Sequence, residues 1–168
     1  AIMLAVMGRR SLADGVNIGA SHIDSPRLDL KQSPLYESDE LAFCKTHYYG
    51  GIRKYQWVTI PLEIHGVVAL KSGQTVRVSV GNGEGDPLFT IDDLLPHLGA
   101  EQSKKPLGEA IPGESLNLLV GSRPLKDDEG SDRVKLAVLE LLNRKYGITE
   151  EDFISAELSA VPAFSACD

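Results

Sequence analysis

The residues best suited to chemistry lie together in Ser21-His22-Ile23-Asp24-Ser25-Pro26. On an extended segment the two polar residues of a His-x-Asp triplet point to one side, so an imidazole and a carboxylate would share a face. Such an imidazole can ligate a metal. The carboxylate beside it can accept the second ring N–H or hold the loop, which is the support that metal-bound histidines usually have. The same residues equally fit a strand-end histidine followed by an Asx-type turn before Pro26. Both readings are open on these letters alone.

Other candidates are weaker. Tyr48-Tyr49-Gly50-Gly51-Ile52 with Trp57 reads as a glycine turn packed by aromatics, or as aromatics covering a pocket. Gly81-Asn82-Gly83-Glu84-Gly85 has the glycine content of a phosphate cradle. No Lys-Ser/Thr follows it, and Glu84 and Asp86 would repel an anion, so a loop is expected and nucleotide binding is not. Thr90 to Leu98 reads as a short capped turn that presents His97 beside Leu95 and Leu98, with a satisfied or solvent-facing ring as the default. His65 alternates onto the wetter face of a strand, and His47 lies in an undefined segment. Cys44 and Cys167 form no CxxC pair, which points to a reducing compartment rather than a disulfide framework.

The elements that must position these groups are mostly strands. Apolar stretches at 1–7 and 16–23 read as strands of a covered sheet, joined by the turn Ser11 to Gly15. Residues 31–40 read as an exposed connection, with a boundary near residue 30. Strict alternation from Leu62 to Leu70, the turn Lys71-Ser72-Gly73-Gln74, and Val76, Val78 and Val80 predict an antiparallel hairpin. A short strand is expected from Leu116 to Val120. Val134, Ala137, Val138, Leu141 and Leu142 predict a helix from Ser131 to Tyr146, capped by Ser131 or Asp132 and ended by Gly147. Leu136 and Leu139 lie off that stripe and leave room for a partner subunit to cover them. Thr149 and Asp152 have capping-box spacing, and Ile154 to Ala160 alternate as a strand. The fold class is α+β with strands dominant.

The chain has 168 residues, room for one domain or one domain plus a piece of a second. A net charge of -7 offers no basic stripe for phosphate backbones, so nucleic acid is excluded as a wide partner. No apolar run approaches the roughly 20 residues of a spanning helix, so no membrane association is expected. Arg9 and Arg10 follow the apolar opening, the reverse of a secretory signal, and a cytoplasmic location is expected. The absence of an initiator Met, together with an opening inside an expected strand, reads as a portion of a longer chain.

Several motifs in fixed order carry a more specific reading. Gly19-Ala20-Ser21-His22-Ile23-Asp24-Ser25-Pro26-Arg27-Leu28, Tyr49-Gly50-Gly51, Trp57, Leu62 through Gly66-Val67, and Pro87-Leu88-Phe89-Thr90-Ile91 leading to His97-Leu98 resemble the aspartyl aminopeptidase family of zinc metallopeptidases. With Gly147 to Ala163 the likeness spans nearly the whole chain. It looks closest to a bacterial branch, because Lys54-Tyr55-Gln56-Trp57-Val58-Thr59-Ile60-Pro61-Leu62 replaces an acidic, arginine-containing run found in other members.

The resemblance implies an α/β catalytic domain interrupted by a β-rich oligomerisation insert. On this chain that means catalytic-domain strands at 1–30, the insert at 31–153 and a returning strand at 154–168. It implies His22 as a ligand of one of two zinc ions, Asp24 as the carboxylate orienting that ring, and His97 as a substrate-binding residue reaching a neighbouring subunit's site. It implies hydrolysis of the N-terminal residue, often acidic, from peptide substrates in a dimer or larger shell. The remaining ligands and the proton-transferring Glu lie, in the family, beyond the span matched here, so the isolated chain is expected to be inactive. A non-catalytic β-rich assembly or binding domain is the competing reading.

Overall fold

The computed structural model describes residues 2–23, 25–125 and 130–165. Its centre is one seven-stranded antiparallel sheet made of β1 (Arg27–Ser38), β2 (Leu41–Tyr49), β3 (Leu62–Ala69), β4 (Thr75–Val80), β5 (Thr90–Ile91), β6 (Leu118–Gly121) and β7 (Ala156–Pro162). The spatial order is β4-β3-β7-β1-β2-β6-β5. Helices α1 (Lys54–Trp57) and α2 (Leu107–Ala110) are single turns, and α3 (Arg133–Tyr146) is the one long helix among the described residues. The α+β, strand-dominated class read from sequence is the class observed.

The alternation of β3 and β4 does what its period requires. Leu62, Ile64, Val68 and Val78 are buried, and Leu28, Leu158 and Ala160 join them from β1 and β7. The opposite face carries a polar row in direct register across five strands, Ser79, His65, Ser159, Asp29 and His47. Gly66 stands in the middle of β3 opposite Leu158. A Cβ there would collide with the Glu157 carbonyl oxygen and lie 2.9 Å from Leu158 Cα, so β3 and β7 approach closely only because the residue is glycine.

Helix α3 lies against the buried face of the sheet. Gly147 ends it in the left-handed region with φ 72°, as expected from sequence. Its start differs from expectation. Asp132 is itself left-handed and makes no side-chain cap, and Glu37 of β1 instead accepts the N–H groups of Val134 and Lys135 at 2.8 Å each. A carboxylate from a neighbouring strand thus does the work of a local cap and also suits the positive end of the helix dipole. The buried stripe runs through Val134, Val138, Leu139 and Leu142. Leu139 therefore belongs to the inner face, whereas Leu141, placed on that face by its spacing, is 55% exposed. An apolar cavity of about 510 Å³ remains between helix and sheet, with Cys44, Val78, Phe89 and Tyr146 in its wall.

Two expectations fail. Residues 31–40 are not an exposed connection but the hairpin of β1 and β2, turned at Asp39 and Glu40 with φ 52° and 61°. Consecutive left-handed residues match the twist of a tight hairpin, and Pro34 is accommodated by a register shift between Leu30 and Leu35. The strands expected at 1–7 and 16–23 are also absent among the described residues. The described residues there form only one 3-10 turn, Leu12–Asp14, and their apolar side chains are exposed. Where the segment enters the sheet, β1 already has β2 on one side and β7 on the other, at Leu28 and Asp29, so it offers no backbone partner at that point.

Candidate metal-site segment and its anchor

His22 is exposed in the irregular segment that leads into β1. The ring is not sealed in hydrocarbon, and an imidazole nitrogen is a donor that zinc accepts. Asp24, expected to orient it, lies outside the described residues. The segment enters the sheet at a well-held point. Arg27 is in register with Tyr49, and its guanidinium lies 4.0 Å from the centre of the Tyr49 ring. Arg27 Nε donates to Asp29 Oδ1 at 2.7 Å, and the same oxygen accepts the Ser159 hydroxyl at 2.7 Å. Gly50 turns with φ 79° directly against Pro26, where an added Cβ would sit 3.7 Å from the proline Cα.

A catalytic zinc needs about three protein ligands and an open position. Among the described residues no group of three His, Cys, Asp or Glu side chains comes together. The described residues therefore complete no such set around His22.

His97 occupies an exposed turn after β5, flanked by exposed Leu94, Leu95 and Leu98. The strands that His97 follows and His22 precedes lie apart in the sheet. β1 and β5 are three strand spacings apart in the sheet order, about 14 Å at ordinary sheet spacing. β5 also lies level with Leu118 and thus with Cys44, whereas β1 begins opposite Tyr49, about 17 Å further along at 3.3–3.4 Å per residue.

A constellation missed in the sequence lies on the polar sheet face. His65 Nε2 sits 2.8 Å from Glu63 Oε1, and its Nδ1 is 3.2 Å from the Ser79 hydroxyl. The i, i+2 spacing of Glu63 and His65 carried that signal, but Ser79 joins only through hairpin register. The grouping resembles a nucleophile relay, yet the Ser79 hydroxyl donates to Asn82 Oδ1 at 3.0 Å, which directs its proton away from the imidazole. It reads as a structural polar cluster.

The glycine loop is likewise closed to ligands. Asp86 Oδ2 accepts the N–H groups of Gly81 and Gly83 at 3.1 Å each. These two bonds hold the Asp86 carboxyl below its ordinary range, and the amides a phosphate would need are already satisfied from within.

The whole chain, residues 1–168, matches the family described as aminopeptidase I zinc metalloprotease (M18). The chain belongs to the M18 family. Among M18 relatives, a probable M18 family aminopeptidase 1 from Clostridium acetobutylicum is 53% identical over 167 residues, covering 99% of this chain and 36% of that protein. The crystal structure of an M18 aminopeptidase from Thermotoga maritima superposes with a TM-score of 0.79 at 52% identity, over 86% of this chain and 31% of that one. Aminopeptidase I from Borrelia burgdorferi B31 gives a TM-score of 0.79 at 45% identity, over 97% of this chain and 35% of that one. The chain thus spans about a third of the length of the M18 relatives it matches. No helix among the described residues is long and apolar enough to cross a membrane.

Proposed function

We propose that this chain forms part of an M18 zinc aminopeptidase that removes N-terminal residues, acidic ones among them, from peptides in the cytoplasm. The observation that carries this reading is the exposed imidazole of His22 on a segment pinned at the middle of the sheet, within a chain matched to the family over its whole length. His22 holds one of two zinc ions, and Asp24 accepts its second ring N–H and fixes its orientation. Zinc bound there supplies Lewis-acid polarisation of the scissile carbonyl. The completing ligands come from the remainder of the enzyme, so this chain has no activity by itself.

The insert expected at 31–153 is built on the sheet that runs from Arg27 to Pro162. The exposed apolar side chains of residues 2–23 then pack in the catalytic domain. His97 binds substrate in the site of a neighbouring subunit, a role supported by its exposed turn and by the exposed leucines beside it. The free, buried Cys44 fits a reducing cytoplasm.

The test is release of acidic N-terminal residues by the complete enzyme loaded with zinc or cobalt. Loss of release in His22→Ala is expected, and undiminished release would end this reading. A second reading, a non-catalytic β-rich assembly domain, is favoured by the exposed Leu94, Leu95, Leu98 and Leu136. It predicts that Leu136→Asp dissolves an oligomer in a protein that never hydrolyses peptides.

A further inference from the structure

The contacts around the start of β1 do more than end a strand. Four of them converge within a few residues of His22: Pro26 against Gly50, Arg27 over Tyr49, Arg27 Nε to Asp29, and the Ser159 hydroxyl to the same Asp29 oxygen. They join three adjacent strands, β7, β1 and β2. They surround the point where the segment carrying His22 enters the sheet. Arg27 and Asp29 side chains are 36% and 37% exposed, so as an ion pair they contribute little to global stability. Their geometry is nevertheless specific. A guanidinium plane can lie on a ring while its Nε–H keeps a carboxylate bond, which a lysine ammonium cannot reproduce.

We propose that Arg27, oriented by Asp29 and seated on the Tyr49 ring, is a positioning residue that fixes the aim of His22 toward its metal. Ser159 completes the device by holding Asp29 from β7. Proline at position 26 restricts the backbone between clamp and ligand, and Gly50 beside it turns with φ 79°. The inference rests on the reading of His22 as a metal ligand and adds the residues that aim it.

The test is cobalt(II) binding to the complete, metal-stripped enzyme, followed by the visible absorption of the bound ion. Melting temperature and amide hydrogen exchange of residues 19–23 are measured on the metal-free protein. Asp29→Asn and Tyr49→Leu should each weaken cobalt binding about tenfold, the low end of what loss of ligand support costs. Both should also speed exchange at 19–23, while the melting temperature stays within about 3 °C. His22→Ala separates the two levels of the argument. If it weakens cobalt binding while Asp29→Asn and Tyr49→Leu do not, the clamp is refuted and the ligand reading survives. If His22→Ala binds cobalt like the parent, the ligand reading fails and the clamp with it. A loss of binding that only tracks a fall in melting temperature would also overturn the proposal.

Discussion

Glu37 Oε2 accepts the backbone N–H of Val134 at 2.8 Å, joining a strand to the first turn of a helix that begins nearly a hundred residues later. The bond satisfies donors that the helix cannot satisfy itself and fixes α3 over β1. Glu37→Ala should cost about 1–2 kcal/mol, the range for a lost helix cap. Glu37→Gln, which keeps an acceptor oxygen, should cost less. Urea unfolding followed by far-UV circular dichroism checks both, and no loss in Glu37→Ala would show that the cap is unimportant.

Asp152 makes stability depend on acid. Its Oδ2 accepts the Thr149 N–H at 2.8 Å and the Thr149 hydroxyl at 2.7 Å, and its Oδ1 accepts the Lys71 N–H at 2.7 Å. The Thr149 N–H, then its hydroxyl, then the Lys71 N–H hold the carboxyl below its usual range. A group depressed on folding stabilises fully above its unfolded value of about 4, and that contribution is lost as pH falls through the lower folded value. Asp152→Asn should be less stable at neutral pH, with the difference shrinking below about pH 4. A gap independent of pH would contradict this.

Gly66 should not accept a side chain. Gly66→Ala drives a methyl group into the Glu157 carbonyl in the interior of the sheet, so a loss of about 1–3 kcal/mol or more is expected. A thermal melt unchanged by the substitution would show that β3 and β7 can separate without cost.

Cys44 should be chemically silent. Burial pushes its thiol up to about 12, and it faces the apolar cavity under α3. In a Cys167→Ser background at pH 8, a disulfide reagent should label Cys44 only as fast as the protein opens. Rapid labelling of the folded protein would contradict the burial.

The elements set by local chemistry were legible in the sequence. The β3–β4 hairpin, the α3 helix with its terminal Gly147, and the Thr149–Asp152 box each depend on residues a few positions apart. The β1–β2 hairpin was not legible, because Pro34 imitates a linker and the Asp39-Glu40 turn lacks the glycine that marks such turns. The Glu37 cap and the Glu63–His65–Ser79 cluster are products of register, which no short window contains. The apolar stretches before β1 have strand composition, but a strand also needs a neighbour, and the start of β1 is already paired on both sides. Of the candidate site, the His22 motif was readable as letters, while the clamp of Arg27, Asp29, Tyr49 and Ser159 became visible only when three strands were brought side by side.

The central claim is that the exposed ring of His22 holds a metal in the complete enzyme. Zinc content per chain, measured after exhaustive dialysis on the parent and on His22→Ala with melting curves confirming that both are folded, tests it most directly. The account predicts that the parent keeps its zinc and the folded variant retains measurably less. Equal zinc in the two proteins would contradict it.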